Sequence, residues 1–246
     1  MRVAVLVDGA FFLFRAKSIW GNRPADEMAS ILEKYCRAHV QQAGRHAELY
    51  RIFYYDCPPA DINAVNPVSK KNVHYIHTKQ AGWRIDFQNA LKRKRKLALR
   101  LGKMDERNPR WILSSDKLKA LCNRKITVDD LTENDVTLDI RQKGVDMKIG
   151  LDIATIAFKK LADQIILISG DSDFVYAAKH ARREGIDFIL DPMWAHIKED
   201  LMEHIDGLQS QVENPETAKI PGKIKFHTWP PVRQHFTGEL KQQQNE

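Results

Sequence analysis

The ten residues 165–174, IILISGDSDF, decide how the rest of the chain is interpreted. The run begins with four apolar residues that do not alternate with polar ones, which is typical of a parallel strand covered by helices on both faces. It ends at Gly170 and two acids, Asp171 and Asp173. Ligands of such sheets bind at the carboxyl ends of the strands, so we expect these carboxylates to lie where a functional site would form.

Other apolar runs in the chain also end in an acid. They cover residues 2–8, 47–56 and 187–191, and they end in Asp8, Asp56 and Asp191. Helical patterns separate them, including residues 174–184, which Gly185 ends, and a last helix predicted over residues 201–208. Strands that alternate with helices predict an α/β fold with a parallel sheet flanked by helices.

A long helix is predicted over residues 147–161, and Asp146 stands directly before it. Asp152 follows six residues later, which is about 240° around an ideal helix. Both carboxylates therefore face one site only if the helix begins after Asp146 or its first turn is irregular.

Residues 60–142 differ from the rest, being first polar and rich in turns and then strongly basic. We interpret them as an insertion or elaboration within a domain of residues 1–210. They include a predicted basic helix over 86–103, a short strand over 111–113 and a short helix over 116–121. Residues 211–246 are rich in Pro, Gln and Lys, which predicts a partly disordered C-terminal tail.

Composition limits the class of protein. The formal net charge is +7, with a pI near 9.2, which suits a polyanionic partner without requiring one. The three cysteines form no C-x-x-C pair, so they suggest neither a disulfide framework nor a zinc site. Neither a signal peptide nor an apolar run of about 20 residues is recognised. We therefore expect a cytoplasmic protein with no membrane segment.

Four acids are expected to meet at the carboxyl edge of the sheet, with three weaker candidates. The four are Asp8, Asp146, Asp171 and Asp173, and the weaker ones are Asp152, Asp56 and Asp191. Clustered carboxylates repel one another, and they are stabilised by protonation or by a hard cation such as Mg²⁺ or Mn²⁺. Such an ion can activate water for attack on a phosphodiester. For any single aspartate, a turn or helix N-cap remains an open alternative.

Basic residues supply candidate contacts to RNA. Residues 92–96 form a run without an acid, here called the basic run: Lys92, Arg93, Lys94, Arg95 and Lys96. The run is interpreted either as a solvated face or as a contact to a phosphate backbone. Lys143 and Lys148, which flank Asp146, are better placed to meet a scissile phosphate. His74 and His77 lie three residues apart but lack a partner cluster, so they stay unassigned.

Three segments carry a family resemblance: VLVDGAFF, RQKGVDMKIGLDIATIA and ILISGDSDFVYAAKHARREGIDFIL. They resemble the NYN family, including its bacterial LabA-like proteins, whose fold is similar to PIN-domain nucleases. The resemblance covers residues 1–210. Many relatives read D-G-x-N after the first strand, and this chain has Phe11 at the Asn position.

The resemblance implies a Rossmann-like or PIN-like parallel sheet and a ribonuclease site dependent on Mg²⁺ or Mn²⁺. It implies that the catalytic and metal-binding acids are Asp8, Asp146, Asp171 and, less directly, Asp173. Asp152 matches a further acid of the family pattern and would bind the metal or support the site.

Three functions remain open from the sequence. The first is a metal-dependent endoribonuclease with RNA as its partner, and the second is an RNA-binding regulatory protein with weak or no cleavage. A phosphatase or phosphotransferase ranks last, because Ala10 stands where such enzymes commonly carry a second aspartate. The sequence also leaves a homodimer open.

Overall fold

The structure is a computed structural model that describes residues 1–220 and 222–225. The strands are β1 (Arg2–Asp8), β2 (Glu48–Asp56), β3 (Asn63–Val65), β4 (Asn72–His74), β5 (Leu97–Leu101), β6 (Lys103–Met104), β7 (Arg110–Leu113), β8 (Val136–Asp139), β9 (Gln142–Lys143), β10 (Gln164–Ile168), β11 (Asp187–Asp191) and β12 (Gly207–Leu208). The helices are α1 (Gly9–Trp20), α2 (Ala25–Ala43), α3 (Lys79–Lys92), α4 (Ser115–Cys122), α5 (Val145–Phe158), α6 (Val175–Arg183) and α7 (Glu199–Met202). Single 3₁₀ turns cover Tyr75–His77, Val128–Asp130, Glu133–Asp135 and Ser172–Phe174.

Six strands form the central sheet in the order β12-β11-β10-β1-β2-β5. All five neighbouring pairs are parallel. Val7 lies opposite Ile168, and Ile168 lies opposite Asp191, so the carboxyl ends of β1, β10 and β11 are aligned. We call this side of the sheet the carboxyl edge. The predicted α/β fold with a parallel sheet and flanking helices is confirmed.

Both faces of the sheet are buried, which explains why its strands read as continuous apolar runs. In β10, Ile166 and Ile168 pack into a core with α1, α2 and α3. Ile165 and Leu167 point the other way, into a second core with α5 and α6. All four side chains are fully buried. The interpretation of residues 165–168 as a strand covered on both faces is therefore confirmed.

The helix predicted over residues 86–103 is wrong in its second half. Helix α3 ends at Lys92, and Leu97–Leu101 form β5, which pairs with β2. Lys96 turns the chain into the strand with a φ of 60°. Leu97 and Leu99 pack against one core and Ala98 against the other. This alternation with a period of two is typical of a strand. The five basic residues before it obscure the change from helix to strand in the sequence.

The last predicted helix, over residues 201–208, is also wrong in its second half. Helix α7 ends at Met202, and Gly207–Leu208 form the sixth strand of the sheet. The Asp206 carboxylate accepts a hydrogen bond from the Phe188 amide at 2.9 Å, which draws the chain onto β11. A two-residue strand has too little pattern to be recognised in sequence.

Three antiparallel pairs of short strands elaborate the domain between β2 and α5: β3 with β4, β6 with β9 and β7 with β8. The predicted strand over 111–113 and the short helix over 116–121 are confirmed as β7 and α4.

The described beginning of the predicted C-terminal tail packs on the domain. Val212 forms a bridge with Ile224, and the Trp20 indole donates to the Gly222 carbonyl at 2.6 Å. Pro221 and residues 226–246 of that tail lie outside the described residues. Of the helices within 1–220 and 222–225, none combines the length and the apolar character that crossing a membrane requires.

Candidate functional site

Asp8 ends β1 and caps helix α1. Its Oδ1 accepts a hydrogen bond from the Phe11 amide at 3.1 Å, and its Oδ2 accepts one from Ser169 Oγ at 3.4 Å. Burial raises the pKa of this carboxyl above its ordinary value, the Phe11 amide partly offsets this, and the charge of Asp146 raises it further. Asp8 therefore lies close enough to Asp146 for the two carboxylates to repel each other.

Asp171 and Asp173 follow β10 directly. The Asp171 amide donates to Ser169 Oγ at 3.2 Å, and Asp171 Oδ1 accepts from the Asp173 amide at 3.0 Å. Asp171 is thus the cap of the Ser172–Phe174 turn, whereas Asp173 caps nothing. Both residues are exposed, so both carboxylates can meet a ligand from solvent.

Asp146 lies in the first turn of α5. Gly144, whose φ is 78°, makes the left-handed turn that starts this helix, a conformation that glycine adopts without strain. Burial raises the pKa of Asp146, and the charges of Asp171 and Asp173 raise it further. The electrostatic coupling therefore runs from Asp8 through Asp146 to Asp171 and Asp173. We call these four residues the edge acids.

The edge acids differ from the other candidates in having no basic partner. Within the described ranges, no Lys, Arg or His forms a salt bridge with any of the four, as the full set of ion pairs shows. Their negative charge is therefore not neutralised by neighbouring side chains of the described chain.

The donor chemistry of the edge acids fits a hard divalent cation, because carboxylate oxygens are the ligands that Mg²⁺ and Mn²⁺ prefer. Among residues 1–220 and 222–225, no three His, Cys, Asp or Glu side chains have the arrangement of a metal site. The edge acids thus have suitable atoms and like-charge repulsion, but their side chains would have to draw together around an ion.

Asp56 also ends a strand, but its charge is neutralised. It is fully buried and forms a salt bridge with Arg84, and Gln88 donates to its Oδ2 at 2.9 Å. Such a buried and fully bonded pair is typical of a structural role.

Asp191 is likewise buried and bonded. Its Oδ2 accepts from Tyr35 at 2.5 Å and lies 2.7 Å from His39 Nε2. Its Oδ1 accepts from the Ser210 hydroxyl at 2.6 Å and from the Met193 amide at 2.7 Å. This network ties α2 to β11 and to the segment that follows β12.

The structure does not bring Asp152 to the edge acids. Helix α5 begins at Val145, so Asp146 and Asp152 sit on a regular helix and point in different directions. Asp152 Oδ2 accepts from the Tyr55 hydroxyl at 2.9 Å and pairs with Arg100 at 3.1 Å. Asp152 therefore lies apart from the edge acids on α5, and its role as a metal ligand or as a supporting residue stays a prediction.

The basic run lies at the opposite edge of the sheet from the edge acids, because it precedes the first residue of β5. Three of its side chains already have partners within the chain. Arg93 pairs with Asp26 at 2.9 Å, and Lys94 pairs with Glu33 at 3.2 Å. Lys96 Nζ donates to the Leu49 carbonyl at 2.5 Å. The structure therefore separates the basic run from the predicted acids.

The two other predicted RNA contacts lie beside Asp146. Lys143 ends β9 and pairs with Asp105 at 2.7 Å, and Lys148 is exposed in the first turn of α5. His74, by contrast, pairs with Asp61 at 2.8 Å and its ring lies 4.4 Å from that of His77. Neither histidine belongs to a three-residue metal arrangement in the described chain.

Sequence reasoning missed two features of this edge. Lys198 Nζ donates to Ser172 Oγ at 3.1 Å, which places a cation beside the Asp171 turn although 26 residues separate them. Phe11 packs over Gly170, where an added Cβ would lie only 2.7 Å from the Phe11 ring. Neither contact has a local sequence signal, because each joins residues that follow the ends of different strands.

Comparisons with known proteins give a family and a similar solved structure. A search of the curated proteins finds no match. A protein of unknown function from Vibrio parahaemolyticus, VPA0982, is similar in structure with 16% sequence identity and a TM-score of 0.39, over 84% of this chain and 90% of that chain.

The family model of the NYN domain matches residues 85–207, half of the chain. This range contains Asp146, Asp171 and Asp173, whereas Asp8 lies before it. The resemblance noted in the sequence is thereby confirmed, and the chain belongs to the NYN domain family.

Proposed function

We propose that this protein is a metal-dependent endoribonuclease that hydrolyses RNA phosphodiester bonds at the edge acids. Membership of the NYN domain family implies a nuclease-type hydrolase with RNA as its substrate. The observation that carries the assignment to this site is the contrast among the strand-end acids. Asp56 forms an ion pair with Arg84, and Asp191 is hydrogen-bonded to Tyr35, His39 and Ser210, whereas the edge acids repel one another and have no basic partner within the described chain.

Repulsion among the edge acids supports a cation as their ligand. NYN and PIN-like nucleases are generally dependent on a divalent metal, and we propose Mg²⁺ or Mn²⁺ here. Asp8, Asp146 and Asp171 would hold the ion, and Asp173 would complete the site or orient the attacking water. When bound, the ion would supply an activated water and stabilise the negative charge that develops on the phosphate oxygens.

The chain's own residues prepare this site in two ways. The Ser169 hydroxyl contacts both Asp8 and the Asp171 amide, so it fixes the relative positions of the first and third acids. Asp8 and Asp146, whose pKa values are raised, must ionise before they can hold a cation, and the bound cation would in turn favour their ionised forms.

The test is cleavage of a labelled single-stranded RNA with Mn²⁺, with Mg²⁺ and with EDTA. We expect metal-dependent cleavage by the wild-type protein and none by Asp171→Asn. Asp129→Asn is the matched control, because it makes the same chemical change at an exposed acid that is not one of the edge acids. Undiminished cleavage by Asp171→Asn would reject the assignment. RNA binding without metal-stimulated turnover would instead favour the alternative of a regulatory RNA-binding protein.

Two further proposals concern the context of the protein. All three cysteines are free, which supports a reducing, cytoplasmic location. The proposed site requires residues of one chain alone, so the proposed activity does not require a homodimer.

A further inference from the structure

A groove of about 530 Å³ borders the first turn of α5, which carries Asp146. Gly144 and Lys148, which flank Asp146 along the chain, line one side of it, and residues 101–107 line the other. Asp146 is not among the lining residues, so the groove and the Asp146 side chain lie on different sides of the first turn of α5. We call this cavity the β6–β9 groove.

Short-range packing fixes the shape of the β6–β9 groove. Strand β6 pairs with β9, with Lys103 opposite Lys143. Behind them, a Cβ added to Gly102 would lie 2.6 Å from the Lys143 carbonyl and 3.0 Å from the Val145 side chain. Only glycine permits this close approach, so the end of β5 and the start of α5 are held at a fixed separation.

The groove carries more positive than negative charge. Its lining contains four cations, Lys103, Arg107, Lys143 and Lys148, and two acids, Asp105 and Glu106. Both acids already have partners within the chain. Asp105 forms an ion pair with Lys143, which lowers the pKa of Asp105, and Glu106 accepts a hydrogen bond from the Asp61 amide at 3.0 Å.

Three cations of the groove remain available to a ligand. Lys103, Arg107 and Lys148 are exposed, and their side chains have no hydrogen-bond or ion-pair partner in the part of the chain that the structure describes. The amino end of the 14-residue helix α5 opens beside them and adds the positive end of its dipole. Three free cations and a helix amino end, within one groove, suit the phosphates of a nucleic acid.

We propose that the β6–β9 groove binds the sugar-phosphate backbone of single-stranded RNA next to the bond that is cleaved at the edge acids. This inference rests on the proposed function. No aromatic side chain lines the groove, so it contacts phosphates and does not stack bases. Binding there is therefore independent of base sequence and strongly dependent on salt.

The basic run is the competing surface, and its position argues against it. Strand β5 spans Leu97–Leu101 and separates the run from the groove by about 13 Å at the usual rise per residue. RNA held on the basic run would lie at the wrong edge of the sheet for cleavage at the edge acids.

The test measures binding apart from cleavage. The affinity of a fluorescein-labelled oligouridine is measured by anisotropy in EDTA, across a series of salt concentrations. Removing one cation that neutralises a phosphate is expected to reduce the slope of log affinity against log salt by about 0.7. The Lys103→Gln/Lys148→Gln double variant should therefore reduce the slope by about 1.4. Lys92→Gln/Arg95→Gln removes the same charge from the basic run and is the matched control.

We expect the groove variant to bind RNA at least about tenfold more weakly near 0.1 M salt, and the control to bind like the wild-type protein. An unchanged slope in the groove variant, or the same loss of affinity in the control, would overturn the proposal. If the wild-type protein cleaves RNA while the groove variant keeps its slope, only the groove is rejected. If the slope falls as expected but no cleavage occurs with Mn²⁺, RNA binding in the groove stands, and the nuclease function is rejected together with the groove's place beside a cleaved bond.

Discussion

Ser169 Oγ donates a hydrogen bond to Asp8 Oδ2 at 3.4 Å, and this contact joins the carboxyl ends of β1 and β10. The hydroxyl is fully buried and also accepts from the Asp171 amide at 3.2 Å. One side chain thus positions acids that are 163 residues apart in the sequence, reckoned from Asp8 to Asp171. Ser169 is a positioning residue, because it acts through the two aspartates.

Ser169→Ala should weaken cleavage without abolishing it. A typical intramolecular hydrogen bond contributes about 0.5–1.5 kcal/mol, so the rate should fall about 2- to 13-fold. The bond from Ser169 lowers the pKa of Asp8, which burial raises, so its removal should move the acidic limb of the pH–rate profile to higher pH. Ser172→Ala is the control, since it removes only the bond to Lys198. An unchanged pH profile in Ser169→Ala would contradict this role.

The pH dependence of cleavage at subsaturating Mn²⁺, where the metal-free protein predominates, should show the raised pKa values of Asp8 and Asp146. Both must be ionised to hold a cation, and burial is the main cause of the increase in each case. The acidic limb should therefore lie above the ordinary aspartate value of about 3.9. A rate profile that is flat down to about pH 4 would contradict this prediction.

Asp146→Asn should abolish cleavage and stabilise the fold at neutral pH. Because the folded-state pKa of Asp146 is raised, the folded protein favours the protonated form of this carboxyl. As pH rises through that pKa, Asp146 ionises and the free energy of unfolding falls. The amide cannot ionise, so the variant avoids this destabilisation. Since Asp146 is exposed, the gain should be below about 1 kcal/mol. Urea unfolding at pH 7 and pH 4 checks this, and a lower stability of the variant at pH 7 would contradict it.

Arg84→Ala should destabilise the protein strongly. It would leave Asp56 fully buried without its cation, a change that typically costs about 3–5 kcal/mol. Arg93→Ala removes an ion pair between two exposed side chains and should cost at most about 1 kcal/mol. Urea unfolding distinguishes the two. Equally small losses of stability in the two variants would show that buried Asp56 does not depend on Arg84. They would contradict the claim that Asp56, unlike the edge acids, has a structural role.

Asp152→Asn should retain cleavage within a few-fold of the wild-type rate. Asp152 bonds to Tyr55 and Arg100 and lies apart from the edge acids. Asp152→Asn and Asp171→Asn make the same chemical change, so the comparison isolates position. Loss of cleavage as complete as that of Asp171→Asn would show that Asp152 belongs to the site.

The structure of residues 165–174 can be predicted from sequence, because a strand buried on both faces is a continuous apolar run and acids follow it directly. The same holds for Asp8, whose strand is a continuous Val/Leu run. Asp146 could be placed only to within a turn, since the helix start depends on Gly144. The first residue of the helix determines whether Asp146 and Asp152 face the same side. No residue between these two acids indicates where the helix begins.

The basic run shows a different limit of sequence reasoning. Its charges predict an exposed surface correctly, but they carry no information about which edge of the sheet they occupy. That position is set by β5, whose Leu-Ala-Leu alternation is obscured by the lysines and arginines before it. The β6–β9 groove has no signal in the sequence for a related reason: Lys103 and Lys143 are 40 residues apart and meet only through strand pairing.

The most direct measurement of the central claim is an anomalous difference map from a crystal of the protein grown with Mn²⁺. The proposed function predicts a peak bounded by the carboxylates of Asp8, Asp146 and Asp171, with Asp173 beside it. A map without a peak there, from crystals whose dissolved protein still cleaves RNA with Mn²⁺, would contradict the claim that these acids hold the catalytic ion.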